Sequence, residues 1–353
     1  MGKSNGSERH TAFRSLPRVS IAGLRAPEGR ERARAAGDLL AAARDAGFLY
    51  VVDHRVPAAL CDRLVELAAQ YFAQPEAKKR EHYIGLSRGH RGYVPEGEEV
   101  FYGGSRDRKE AFDLSFDLPE NDPDVVSGTP MLGPNVWPDL PGFREGVSAY
   151  YRDVFELGRT LLRGFSLGLG LGEGFFDGLV TKPPSQLRLI HYPEGSSEEG
   201  GGIAAHTDYE MFTILLATSP GLEVRNGAGD WIDAPPLPGA FVVNIGDMLE
   251  ILTNGELTAT SHRVRRVTEE RYSFPLFFSC DYHTVVAPLP AFVDSGRPPA
   301  YESLVAGEHL FAQTVQTFSY LKERLARGQV TLPENARPLG SFANTLPVPQ
   351  SSR

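Results

Sequence analysis

From Arg30 to Ala46 apolar residues recur at helical spacing, at Ala36, Leu39, Leu40 and Ala43. Gly47 stops that pattern, and the run Phe48 to Val52 reads as a buried strand. Pro57 suits the first turn of a second helix with the face Leu60, Leu64, Leu67 and Tyr71, ending near Pro75. A longer third helix is predicted from Phe143 through Val147, Tyr150, Val154, Leu157 and Leu161 to Phe165 and Leu169. The stretch Ser87 to Pro141 between them is too long for an idle connection and is expected to carry short strands and substrate contacts. After Gly174 the period changes to short strand-like runs: Gln186 to Tyr192, Thr213 to Ala217, Leu222 to Arg225, Phe241 to Ile245, His262 to Val267, Tyr272 to Cys280 and Thr284 to Ala287. A final helix is predicted over about Tyr301 to Arg327, with Leu304, Phe311, Val315, Phe318 and Leu325 near one face. Many short strands between Gly and Pro turns argue for a sandwich or barrel, so the expected architecture is a helical front, a β core and a helical end.

Composition narrows this picture. At 353 residues, 41% hydrophobic and 23% charged, the chain can bury a large core, which excludes disorder as the whole answer. Residues 1–15 and 336–353 are expected to be weakly ordered tails. A net charge of −9 argues against nucleic acid or anionic membranes as partners. The local cluster Arg263, Arg265 and Arg266 is small enough for a solvated face or a single anion site. Two cysteines, Cys61 and Cys280, are too few for a disulfide framework and too far apart for a thiol metal site, so a reduced, cytoplasmic setting is expected. No signal-peptide core and no run of roughly 18 apolar residues is present. Nothing in the pattern fixes an oligomeric state.

The chemistry concentrates late in the chain. His206 and Asp208 are two apart, and in an extended strand such residues project to one face and can address one point. A metal is the natural occupant, with His262 as the strongest choice of third ligand. Two His and one carboxylate with open positions opposite suit non-haem Fe(II) and oxygen. A bare His-x-Asp pair is more often two unrelated polar residues. A second constellation changes the odds: Arg271 and Ser273, again two apart, form a carboxylate receptor, and charge-assisted hydrogen bonds of that kind contribute about 1.5 to 3 kcal/mol each. The run Phe274 to Phe278 that follows points to a buried wall, where an unpaired Arg would be costly.

In order and spacing, the segments His206-Thr207-Asp208, Gly221 to Val224, Trp231, Val243 to Asp247, Thr253-Asn254-Gly255, Ser261 to Val264 and Arg271-Tyr272-Ser273 resemble the Fe(II)/2-oxoglutarate dioxygenases of the isopenicillin N synthase-like group. Ala46 to His54, Arg91-Gly92-Tyr93 and Asn135 to Pro138 are similar to that group's earlier signatures, so the resemblance covers roughly residues 16 to 330. It implies a double-stranded β-helix, or jelly roll, over residues 176–300. A mixed helical region over 16–175 and a C-terminal helix over 301–335 would flank it. It further implies Fe(II) on His206, Asp208 and His262, and 2-oxoglutarate on Arg271 and Ser273 with help from Tyr192. One departure is Ile190, where many plant relatives have Asn. The implied reaction consumes O2 and 2-oxoglutarate and oxidises a C–H bond of a small molecule, an amino acid or specialised metabolite, by hydroxylation, desaturation or ring formation. Asp208 disfavours halogenation, because halogenating relatives lack the carboxylate. Two alternatives are an iron oxidase that uses no 2-oxoglutarate, as isopenicillin N synthase itself does, and a non-catalytic binding protein on the same fold.

The substrate pocket is expected to draw on Arg91, Tyr93, Phe101, Phe212 and Phe278, with Arg91 either greeting an acidic substrate or pairing with Glu96, Glu98 or Glu99. The Gly195 to Gly202 stretch is read as a mobile loop whose place before His206 makes a lid conceivable. Gly168, Gly170, Gly172 and Gly174 alternate as in a nucleotide-binding loop but follow a helix, the wrong context, and are read as a helix stop. His191 and His283 are read as satisfied structural histidines.

Overall fold

The computed structural model describes residues 10–100, 109–194, 202–265 and 269–340. Its strands in chain order are β1 (Arg18–Ser20), β2 (Phe48–Val52), β3 (Gly92–Val94), β4 (Glu110–Leu114), β5 (Gln186–Tyr192), β6 (Ile203–His206) and β7 (Phe212–Ala217). There follow β8 (Leu222–Arg225), β9 (Trp231–Asp233), β10 (Phe241–Ile245), β11 (His262–Val264), β12 (Arg271–Phe278), β13 (Val285–Val286) and β14 (Leu304–Val305). The α-helices are α1 (Arg30–Ala46), α2 (Ala58–Phe72), α3 (Glu76–Arg80), α4 (Pro123–Ser127), α5 (Phe143–Gly168), α6 (Asp247–Leu252), α7 (Ala306–Thr317) and α8 (Ser319–Ala326).

An eight-stranded sheet runs β1-β2-β10-β7-β12-β5-β4-β3, antiparallel except for β1 against β2, and a four-stranded sheet runs β6-β11-β8-β9. Period-two alternation sorts the large sheet into two faces. Phe274, Leu276 and Phe278 of β12, Phe212 and Ile214 of β7, and Phe241, Val243 and Ile245 of β10 pack with Leu39, Leu64, Val147 and Phe165 of the helices in one core. Their neighbours Ser273, Pro275, Phe277, Thr213, Leu215 and Asn244 face a cavity toward the small sheet, whose Ile203, Leu222, His262 and Val264 form the opposite wall. Helices α1, α2 and α5 thus seal one face, and the other face is left for the site.

Helix α1 stops where the sequence places it, because Gly47 takes φ +64° and a Cβ there would lie 2.0 Å from Thr260 Oγ1. The final helix differs from expectation. It breaks at Phe318, whose backbone is extended, because the strand-like segment at Glu98 to Val100 bonds to the chain there: Val100 N–H to Thr317 C=O and Ser319 N–H to Glu98 C=O. The N-terminal tail expectation also fails from residue 10 onward. His10 is buried with Nε2 at 2.8 and 2.7 Å from the hydroxyls of Thr258 and Thr260, and Phe13 and Leu16 pack against Phe48 and Tyr50. Residues 336–340, placed in the C-terminal tail, dock on α7, where Gly340 N–H donates to Gln313 Oε1 at 2.8 Å.

Candidate iron, co-substrate and substrate site

His206 ends β6, Asp208 lies in the turn beyond it, and His262 opens β11 directly across the ladder from His206. The pair is therefore not two residues of one strand face, as their spacing suggests; the turn brings Asp208 round instead. One ligand atom from each residue falls within 4.8 Å of the others, with Asp208 Oδ1 3.6 Å from His206 Nε2 and 3.5 Å from His262 Nε2. Each imidazole Nδ1 faces a backbone carbonyl, Ala204 at 2.8 Å and Thr260 at 3.2 Å. A carbonyl can only accept, so the proton sits on Nδ1 and Nε2 is the bare ligand atom. Burial, with His262 alongside, pulls His206 down to about 4, which keeps it unprotonated at neutral pH. Asp208 Oδ2 accepts from Thr213 Oγ1 at 2.5 Å and Asn244 Nδ2 at 2.8 Å. Burial works against the Asp208 carboxylate, but the two imidazoles and these donors outweigh it and hold the group below its ordinary value. Two imidazoles and one carboxylate with second partners in place fit a divalent iron.

The turn that carries Asp208 is pinned to the start of α6: Asp247 N–H donates to Asp208 C=O at 2.8 Å and Gly246 N–H to Met211 C=O at 3.0 Å. The approach is close enough that a Cβ on Gly246 would lie 2.2 Å from the Glu210 carbonyl oxygen.

Two cavities meet at the triad. The smaller, about 70 Å³, lies between the sheets and holds Arg271, Ser273 and Tyr192 with all three candidate ligands. Arg271 pairs across the ladder with Tyr192 and lies 4.9 Å from its ring centre, with Nε donating to Ser219 C=O at 3.2 Å. Arg271 Nη1 and Tyr192 OH are buried with no hydrogen-bond partner. A guanidinium only 1% exposed with a bare N–H is a site made for an anion.

The larger cavity, about 290 Å³, shares His206, Asp208, Ile190, Ile203 and Phe277 with the first, and its far wall includes Leu310, Gln313 and Thr314 of α7 with Phe318. A buried ion network forms another wall. Arg188, cross-strand partner of Asp113, grips that carboxylate through Nε at 2.8 Å and Nη2 at 2.7 Å and reaches Glu99 through Nη1 at 2.5 Å; Lys109 Nζ lies 3.0 Å from the other Glu99 oxygen. Burial would raise Glu99, yet Arg188 and Lys109 hold it down to about 2. Burial and the Asp208 charge push Glu210, on the same cavity, up to about 8.

The expected substrate residues sit elsewhere. Phe212 and Phe278 are cross-strand partners stacked 4.8 Å apart in the helix-side core, and alternation gives the cavity Phe277 instead. Tyr93 is buried and donates to Glu110 Oε2 at 2.6 Å. Arg91, 2% exposed, meets neither a substrate cavity nor Glu96, Glu98 or Glu99; it donates to Asn135 Oδ1 at 3.1 Å, to Met131 C=O at 2.9 Å and to the carbonyls of Gly89 and His90. Phe101 and the 195–201 stretch lie outside the described residues. His191 and His283 are satisfied, by Glu110 and Glu270 and by Asp124. The sequence pattern assigned no role to Thr213, Asn244, Arg188 or Glu210, of which only Asn244 stood inside a quoted motif, and it offered Glu99 only as a partner of Arg91.

Comparison with known proteins places this architecture. Residues 16–140 match the model for the non-haem dioxygenase in morphine synthesis N-terminal domain, and residues 183–279 match the 2OG-Fe(II) oxygenase superfamily. A homoarginine-6-hydroxylase of Arabidopsis thaliana is 34% identical over 331 residues, covering 88% of this chain and 99% of its own. Clavatol oxidase of Penicillium crustosum is 33% identical, covering 78% of this chain and 88% of its own. Among solved structures, a 2OG-Fe(II) oxygenase family protein from Caulobacter crescentus superposes with TM-score 0.75 at 32% identity, covering 89% of this chain and 99% of its own. A dioxygenase for auxin oxidation in rice gives 0.66 at 25%, covering 89% and 96%. The chain belongs to the 2OG-Fe(II) oxygenase superfamily. It is a 2-oxoglutarate- and Fe(II)-dependent dioxygenase on a double-stranded β-helix, acting on a small molecule. Among the described residues no helix is long and apolar enough to cross a membrane.

Proposed function

We propose that His206, Asp208 and His262 are the iron ligands, that Arg271, Ser273 and Tyr192 receive the distal carboxylate of 2-oxoglutarate, and that the larger cavity receives a small molecule for hydroxylation at a C–H bond. The carrying observation is that the two cavities share His206 and Asp208 along a common wall with Ile190, Ile203 and Phe277, and that the smaller ends on a buried guanidinium with an unpaired N–H. Bound there, Fe(II) with 2-oxoglutarate and O2 supplies the oxidising power for C–H cleavage, with succinate and carbon dioxide as co-products. The chain's own task is to position and exclude. Ala204 and Thr260 carbonyls fix both imidazole tautomers, and Thr213 and Asn244 fix the carboxylate rotamer.

The test is an anaerobic titration of the metal-free protein with Fe(II) and then 2-oxoglutarate, following the weak visible band of an iron chelated by a 2-oxo acid. The band is expected in the wild type and lost at the same co-substrate concentration in Arg271→Ala. Iron binding without a band would favour an oxidase that does not use 2-oxoglutarate, and failure to bind iron would remove the triad.

A further inference from the structure

We propose that a bulge at Ala204 and Ala205 in β6 recognises the substrate in the larger cavity, and that the substrate carries an amino-acid unit, an N–H and a C=O flanking one carbon, which pairs with the N–H and C=O of Ala205. This rests on the oxygenase reading above and adds the substrate's chemical class. In the register of β6 with β11, His262 stands opposite His206 and Val264 opposite Ile203, so two residues of β6 fall where β11 has one. That one residue, Arg263, is the register partner of Glu223 in β8 on its other side. Ala204 and Ala205 therefore have no register partner in β11. Strand β6 is also an outer strand of its sheet, and among the described residues no strand pairs along its free side. The Ala204 carbonyl is used locally, accepting from His206 Nδ1 at 2.8 Å. Ala205 is exposed and has no such side-chain partner.

The cavity meets this backbone directly. A cavity lying over one face of a strand touches every second residue, whereas Ile203, Ala204, Ala205, His206 and Thr207 line this one in succession, so it borders β6 along the edge. Free strand edges are ordinarily blunted by charged residues or Pro. Ile203-Ala204-Ala205 has neither, and the two methyl side chains let another backbone come close. In an extended residue N–H and C=O point to the same side, so the complement of Ala205 is the same unit in the ligand, held as an added strand would be. His206 follows directly, which docks that unit beside a candidate iron ligand. Met131, Phe277, Leu310 and Phe318 give apolar wall for its side chain, and a volume of about 290 Å³, at the small end for ligand sites, suits one or two residues.

The test is calorimetric binding to the anaerobic Fe(II)–2-oxoglutarate complex of the N-acetyl methylamides of valine, leucine and phenylalanine. Each is set against the ester in which oxygen replaces the amino-acid N–H. The free amino acids, set against the acids lacking the amino group, separate an amino-acid source of the unit from a peptide source. At least one N–H compound is expected to bind roughly 10-fold better than its counterpart, because the exchange removes a donor and leaves the Ala205 carbonyl unpaired. Ala205→Pro deletes an N–H that the ladder does not use and should bring that ratio toward one. Counterparts binding as well as the N–H compounds, or an unchanged ratio in Ala205→Pro, would overturn the proposal. Should that variant fail to fold or to hold iron, the wild-type comparison decides alone. A wild type that forms the visible band with 2-oxoglutarate but binds no member of the set overturns the substrate class and leaves the oxygenase reading intact. Absence of the band counts instead against that reading.

Discussion

The Thr213 hydroxyl donates to Asp208 Oδ2 at 2.5 Å, and Asn244 donates to the same oxygen at 2.8 Å. With Oδ2 doubly held, Oδ1 is the atom turned toward His206 and His262. Both donors come from cavity-facing positions of adjacent strands, Thr213 and Asn244 being register partners of β7 and β10. Thr213→Val and Asn244→Leu should each weaken Fe(II) binding about 10- to 100-fold, as loss of such supporting bonds does elsewhere. Anaerobic iron titration of the two variants decides it: affinity equal to wild type would mean the carboxylate needs no such support. Asp208→Ala removes the ligand itself and should abolish turnover.

Arg271→Ala should raise the 2-oxoglutarate requirement by the cost of breaking one side of a buried charge pair, about 3 to 5 kcal/mol, or roughly 150- to 5,000-fold. Iron should still bind. Tyr192→Phe removes one uncharged donor and should cost only about 2- to 10-fold. Titrating succinate formation against 2-oxoglutarate measures both, and an unchanged requirement in Arg271→Ala would move the anion site elsewhere.

Burial holds the His90 imidazole down to about 3, with the Arg188 and Arg91 charges adding to it, against 6.5 for an unperturbed histidine. The unfolded chain therefore takes up this proton first. The resulting stability is fully present above about pH 6.5 and is lost as pH falls from there toward 3, at about 1.4 kcal/mol per pH unit within the window. Urea unfolding between pH 7 and 4 should show His90→Gln with a shallower acid slope than wild type by about that amount; parallel slopes would exclude His90 as the source.

Gly158 of α5 faces Phe278, and a Cβ there would lie 2.3 Å from the ring. Gly158→Ala should destabilise the fold by about 1 to 3 kcal/mol through overpacking while leaving iron and 2-oxoglutarate affinities unchanged. A change confined to substrate affinity would instead return Phe278 to the pocket.

Much of this was legible from the sequence because the signals are local. The helical period before Gly47, the apolar run Phe48 to Val52 and the β5 run Gln186 to Tyr192 all form where their patterns lie. What failed was local pattern that tertiary partners overrule. Strand β4 carries Glu110 and Asp113, to which no sequence pattern attaches a role, because their partners Lys79, His191 and Arg188 come to them only across the fold. The choice between Phe277 and Phe278 turns on which side of β12 meets α5, a one-residue question that periodicity poses without answering. His206 and Asp208 stand out because their spacing is short, whereas His262, far along the chain, is singled out by its place at the start of a strand-like run and by the family resemblance. Glu210, only two residues from Asp208, carries no spacing signal of its own.

The two cavities differ in what builds them. The anion end is made of ladder residues from β5 and β12, whose replacement disturbs a sheet buried on both faces. Much of the substrate end comes from α7, Phe318 and Gly340, which belong to one C-terminal segment laid across the mouth after the jelly roll is complete. Selectivity is thus mechanically separable from oxidising power. Recombination or mutation of the last forty-odd residues can retune which molecule is oxidised while the machinery that activates oxygen keeps its shape.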